Sequence, residues 1–103
     1  MPKTKCANCN KKESVAQAVR YLKVLANQER MQVMCNISQE PHSVSELMEI
    51  TGLMQSTLSM HLSKLRKEEM VETRKQGRSV YYSISDPRIR RLVQYLCQEF
   101  GCQ

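Results

Sequence analysis

The sequence predicts a mainly α-helical fold with one small β-hairpin, and three observations predict it. Residues 43–70 carry two helical patterns separated by Gly52. Directly after them, residues 70–75 and 79–84 read as two short strands joined by a turn. Long amphipathic stripes lie near both ends of a chain only 103 residues long, which is one domain's worth with a modest core.

In chain order, residues 1–12 read as a flexible basic tail and 13–103 as the folded domain. The tail holds Cys6 and Cys9 in CxxC spacing. One such pair supplies half of a zinc site, and a thioredoxin-type motif needs a βαβ setting that the pattern lacks. Incidental, redox and metal roles all stay open for it. Ser14 is placed to cap a helix whose apolar positions are Val15, Ala18, Val19, Leu22, Leu25 and Ala26. Asn27 can cap the next helix, with Glu29 in its first turn and Met31, Val33, Met34 and Ile37 as apolar content around Cys35. Pro41 ends that segment, and His42 is a lone loop histidine without an assigned role.

Ser43 and Glu46 have capping-box spacing, so a third helix opens there with Val44, Leu47 and Ile50 facing inward. Gly52 ends it where a positive φ is cheap. The fourth helix places Leu58, Leu62 and Leu65 on one stripe. Its other faces carry Gln55, Ser56, Thr57, Ser59, His61, Ser63 and Lys64, hydrogen-bonding and free of acid. Such a helix suits the major groove, which displays donors and acceptors beside phosphates. A plain helical hairpin with a solvated face would show the same periodicity.

The strands that follow favour the groove reading. Gly77 makes the turn, and Arg74, Lys75 and Arg78 cluster near its tip against Glu72 alone. A basic hairpin behind such a helix is the layout of a winged helix-turn-helix, its cations holding phosphate without reading sequence. Asp86-Pro87 then opens a last helix, with Ile89, Leu92, Val93, Leu96 and Phe100 as its stripe and Gly101 as its stop. A small core cannot bury both terminal stripes, so the first and last helices are expected to form a homodimer. Two-fold symmetry would set the reading heads roughly 34 Å apart, one turn of duplex.

Composition agrees. Sixteen basic against ten acidic residues leave a formal charge of +6, favouring a polyanionic partner. No apolar run spans a bilayer and the first residues lack a signal peptide's apolar core, so a cytoplasmic location without a membrane partner is expected. Five irregularly spaced cysteines argue against a disulfide framework and for reactive or metal-binding thiols. Two histidines and no paired acids give no catalytic constellation, so neither an enzyme nor a cofactor is expected.

The segments LANQERMQVMC, SVSELMEITGLMQSTLSMHLSKLRKEEMV and TRKQGRSVYYSI resemble the ArsR/SmtB family of bacterial repressors, over about residues 14–102. The resemblance implies a dimeric DNA-binding repressor that leaves its operator when an inducer binds. It places the helix of residues 55–66 in the major groove and the hairpin around Gly77 along the backbone, with Met54 where the family has a capping serine. The family's arsenic and cadmium sensors carry a cysteine pair where this chain has Ser43-Val44-Ser45. Its zinc sensors carry aspartate and histidine where this chain has Asp86 and Arg88.

The persulfide-responsive branch matches better. It implies Cys35 in the second helix and Cys102 near the end of the last as the sensing pair, with Cys97 as the alternative partner. Reactive sulfur species would then be the inducer. A pair slightly too far apart for a direct disulfide, beyond about 7 Å between Cα atoms, would favour a polysulfide bridge over peroxide oxidation. Two alternatives remain open: a zinc-, cadmium- or arsenite-responsive repressor using Cys6 and Cys9 with other cysteines, and a thiol-disulfide oxidoreductase.

Overall fold

A computed structural model describes residues 11–101. Five helices and three short strands follow in the order α1 (Lys12–Leu25), α2 (Gln28–Gln39), β1 (His42–Ser43), α3 (Val44–Thr51), α4 (Gln55–Lys67), β2 (Val71–Gln76), β3 (Ser79–Ile84) and α5 (Pro87–Phe100). Of the basic tail assigned to residues 1–12, only Lys11 and Lys12 are described, and Lys12 already belongs to α1. Cys6, Cys9 and Cys102 lie outside the described residues.

Three of the five helix starts carry a side-chain cap; α1 and α4 do not. Ser14 does not cap α1: the helix starts two residues earlier, behind Lys11, with no side-chain cap. Asn27 does cap α2, its Oδ1 accepting the Arg30 N–H at 2.9 Å. The Arg30 Nε–H then reaches back to the Val24 carbonyl at 2.7 Å, clasping the last turn of α1 to the first of α2. Ser43 and Glu46 close a reciprocal capping box on α3. Asp86 caps α5 through the Arg88 N–H at 2.8 Å, with Pro87 in the first turn.

The end of α4 is closed without glycine. The Met70 N–H bonds to the Leu65 carbonyl and the Glu69 N–H to the Arg66 carbonyl, both about 3.0 Å or shorter. This is a Schellman closure, and it holds Glu69 at φ 60°, a left-handed conformation that usually falls to glycine. Its reward is that buried Met70 folds back over Leu65 and launches β2 directly from the helix.

The sheet order is β1–β3–β2, antiparallel throughout. The strand at His42–Ser43 was not foreseen, because two residues carry no periodicity. His42 pairs with Tyr82, is nearly buried, and sets its Nδ1 2.7 Å from the Glu40 carbonyl. The hairpin is otherwise as expected, shifted by one residue at the start of β2. Gly77 alone takes a positive φ in its two-residue turn, the glycine-first arrangement of a II′ hairpin.

One core gathers Val33, Met34 and Ile37 of α2, Leu47 of α3, Leu58, Leu62 and Leu65 of α4, Ile84 of β3 and Val93 of α5. Each fully buried side chain of this size stabilises the fold by roughly 1.5–3 kcal/mol before chain entropy is counted. Ile50 does not join them. Expected to face inward, it stands 52% exposed at the end of α3. The α1 stripe is also open: Val15, Val19 and Leu22 are exposed, while Val24 and Leu25 are buried in the core and half-buried Tyr21 packs against it.

Candidate nucleic-acid interface and cysteine pair

The reading head is built from α3, α4 and the hairpin. The Thr51 hydroxyl, donating to the Leu47 carbonyl and accepting the Leu53 N–H, shapes the turn between the two helices together with left-handed Gly52. Helix α4 then lies with Leu58, Leu62 and Leu65 inward. Gln55, Ser56, Ser59 and Lys64 are exposed, and Thr57 is half-buried. Met54 at the N-cap makes no side-chain bond, so nothing from its own side chain covers the first-turn amides. In the hairpin, Arg74, Lys75 and Arg78 are all exposed around the tip, with Arg74 opposite Tyr81 and Lys75 opposite Val80. Adjacent strand residues point to opposite faces, so Arg74 and Lys75 spread the charge over both sides of the hairpin.

His61 corrects the candidate set. It is only 2% exposed, and its Nε2 lies 2.9 Å from Oε1 of Glu29 on α2. An ionised carboxylate only accepts, so Nε2 carries the proton and donates. The Nδ1 has no partner among the described residues. The placement was legible in spacing: Leu58, His61 and Leu65 continue one stripe at intervals of three and four, so His61 sits on the inner half of α4. His61 thus ties the reading helix to α2 instead of facing outward. The outward side holds, beside Ser63, Met60 and Lys67, which the sequence reading did not name.

Of the two cysteine pairings, the described residues include only the alternative one, since Cys102 lies outside them. Cys35 of α2 is joined by a disulfide to Cys97 of α5, the alternative partner, with Cα atoms 6.2 Å apart. The reason is helical: Cys97 follows Ile89 and Val93 at intervals of four, so it lies on the buried stripe of α5 facing α2. This separation is within the range of a direct bridge, so reach alone does not select a longer polysulfide link. The Gln94 side-chain amide also crosses between the two helices, donating to the Ser38 carbonyl at 2.8 Å. Cys35 is 7% exposed and lines a surface cleft of about 460 Å³ beside Gln28, Gln32 and Asn36.

At the start of α5, where the zinc-sensor pattern would place two ligands, Arg88 donates to Asp86 at 2.6 Å. The side-chain and backbone hydrogen bonds from Arg88 hold the Asp86 carboxyl down to about 2. A guanidinium there competes with any cation. Among the described residues, no three His, Cys, Asp or Glu side chains converge as metal ligands, and no helix is long and apolar enough to cross a membrane.

Comparison with known proteins matches residues 27–73 to the family described as bacterial regulatory proteins of the arsR family. The transcriptional activator HlyU of Vibrio cholerae is 37% identical over 93% of this chain and 92% of its own length. The chain belongs to the arsR family. It is a transcriptional regulator with a DNA-binding fold, and its relatives in that family are regulators, not enzymes. The structure of reduced HlyU superposes with a TM-score of 0.81 at 36% identity, covering 89% of this chain and 96% of that one. The repressor BigR of Xylella fastidiosa gives 0.80 at 29% identity, covering 89% and 91%. A homodimeric winged helix-turn-helix DNA-binding domain of Mycobacterium bovis gives 0.73 at 27% identity, covering 97% and 90%.

Proposed function

We propose that this family member is a cytoplasmic homodimeric repressor that binds operator DNA with Cys35 and Cys97 as thiols and releases it when they are joined. The observation that carries the reading is the bridge between α2 and α5, the helices that connect the reading head to the unpartnered face at α1. The homodimer is supported by the open stripe of Val15, Val19 and Leu22 and by an apolar groove beside it, between α1 and Ile89 and Leu92 of α5. Repression requires no more than occupancy: a dimer seated across a promoter excludes other proteins.

Reactive sulfur supplies the oxidant. A Cys35 thiolate attacks the outer sulfur of a low-molecular-weight persulfide, RSSH, releasing RSH and leaving a persulfide on Cys35. The Cys97 thiolate then attacks the Cys35 sulfur, expelling hydrosulfide and closing the disulfide. Two thiols are oxidised and one sulfane sulfur is reduced, so RSSH yields RSH, hydrogen sulfide and the bridge. Closing it fixes α5 against α2 and changes how the two reading heads are presented. A coupling of about 2–3 kcal/mol, roughly a hundredfold in affinity, is enough for release.

The test is gel-shift titration of the reduced and polysulfide-treated protein, alongside Cys35→Ser, Cys97→Ser and Cys102→Ser. The wild type should lose about two decades of affinity on treatment. Cys35→Ser and Cys97→Ser should bind DNA in both conditions, and Cys102→Ser should respond like the wild type. A normal response from Cys35→Ser would end the proposal, whereas a silent Cys102→Ser would return the second thiol to that position.

A further inference from the structure

On the reading that α4 enters the major groove, we infer that Met60 reads sequence by packing its side chain against the 5-methyl group of a thymine. The buried line of α4 runs through Leu58, His61, Leu62 and Leu65. Opposite it, at intervals of four, three and four, run Ser56, Met60, Ser63 and Lys67, all exposed. Met60 is 59% exposed, and Ser59 stands beside it. Ser56, Ser59 and Ser63 flank it within one turn, with Lys64 four residues on, so its side chain is the apolar group standing above short hydroxyls on this face.

The chemistry of the groove then selects its partner. Among the base edges of the major groove, the thymine methyl is the apolar group; the rest are hydrogen-bond donors and acceptors. Placing the Met60 side chain on a donor or acceptor would strip that group of water with nothing in return. On a methyl it removes apolar surface from water on both sides, and its flexible, polarisable chain tolerates imperfect register. The serines discriminate weakly, because a hydroxyl can donate to or accept from any base. Lys67, two turns beyond Met60 at the last position of α4, contributes charge, as does Lys64. Discrimination on this face therefore falls to Met60, with Gln55 able to pair with adenine.

Duplexes would be selected from a randomised pool by the reduced protein, and each thymine of the recovered half-site replaced in turn by deoxyuridine, which removes only the methyl. One position per half-site should weaken wild-type binding roughly fourfold, the value of one buried methyl group. Met60→Ala and Met60→Gln, both good helix formers at an exposed site, should bind the thymine and uracil duplexes equally at that position. Pools selected by Met60→Gln should lose the thymine there. A wild type that binds selected duplex but ignores every methyl, or a Met60→Ala protein that remains sensitive to the same one, would overturn the assignment and leave DNA binding intact. Recovery of no duplex at all would instead defeat the groove reading on which it rests, and the assignment with it.

Discussion

Helices α1 and α4 are nearly equal in length, at 14 and 13 residues, and each carries an apolar stripe, yet they end in opposite situations. The stripe of α4 is covered within the chain, with Leu58 and Leu65 fully buried and Leu62 almost so. The stripe of α1 is open along most of its length, with Leu22 51% exposed and only the final turn anchored. Periodicity says which side of a helix is apolar; it does not say whose atoms cover it. The contrast teaches that the helix carrying the candidate interface is packed within one chain, while the opposite face leaves apolar surface that the proposed homodimer would cover.

The sharpest way to break this comparison is to place a charge on the open stripe. Leu22→Glu should halve the mass measured by sedimentation equilibrium and lower DNA affinity at least a hundredfold, because one half-site then binds without its twin. Its monomer should still unfold cooperatively, since Leu22 adds little to its own core; an unchanged mass would show that α1 is simply solvated. On the covered stripe, Leu62→Ala should cost about 2–5 kcal/mol in urea denaturation, and a loss below about 1 kcal/mol would contradict its burial.

The polar tie of α4 is a smaller term. Glu29→Ala leaves the buried His61 ring with neither nitrogen bonded, for a loss of about 1–3 kcal/mol, and Glu29→Gln should recover most of it by restoring an acceptor. If both variants unfold alike, the pair is not a hydrogen bond that matters. The smallest effect lies at the start of α5, the flank of the open groove. The Asp86 carboxyl is lowered from 3.8 to about 2 by Arg88, so its contribution is fully present above about 3.8 and is lost as pH falls through about 2. Acid titration should therefore narrow the gap between wild type and Asp86→Ala across that window, and a gap that narrowed only above it would count against the cap.

Much of this was legible in the sequence where a feature depends on neighbours within four residues. Asn27, the Ser43–Glu46 box, Asp86-Pro87 and the Gly77 turn each announce a local geometry, and each forms. Ser14 failed because capping residues are also ordinary helix surface, and here the helix simply runs on through it. His61 is polar yet buried: its spacing places it on the inner stripe, and a partner 32 residues away, Glu29, makes that burial tolerable. Strand β1 exists because β3 had a free edge to fill, which two residues cannot signal. That Cys97 faces α2 was legible in the phase of α5, in the intervals from Ile89 through Val93 to Cys97.

The bond between Cys35 and Cys97 spans 62 positions, and the candidate interface of α3, α4 and both hairpin strands lies inside that span. Oxidation thus threads the whole recognition apparatus onto a closed ring. A loop of that size withholds roughly 4 kcal/mol of freedom from the unfolded chain. The disulfide-bonded form should accordingly be the hardier of the two, and a melting midpoint that stayed put on reduction would contradict this. On the proposed reading, the released regulator would stay folded until a reductant opens the ring.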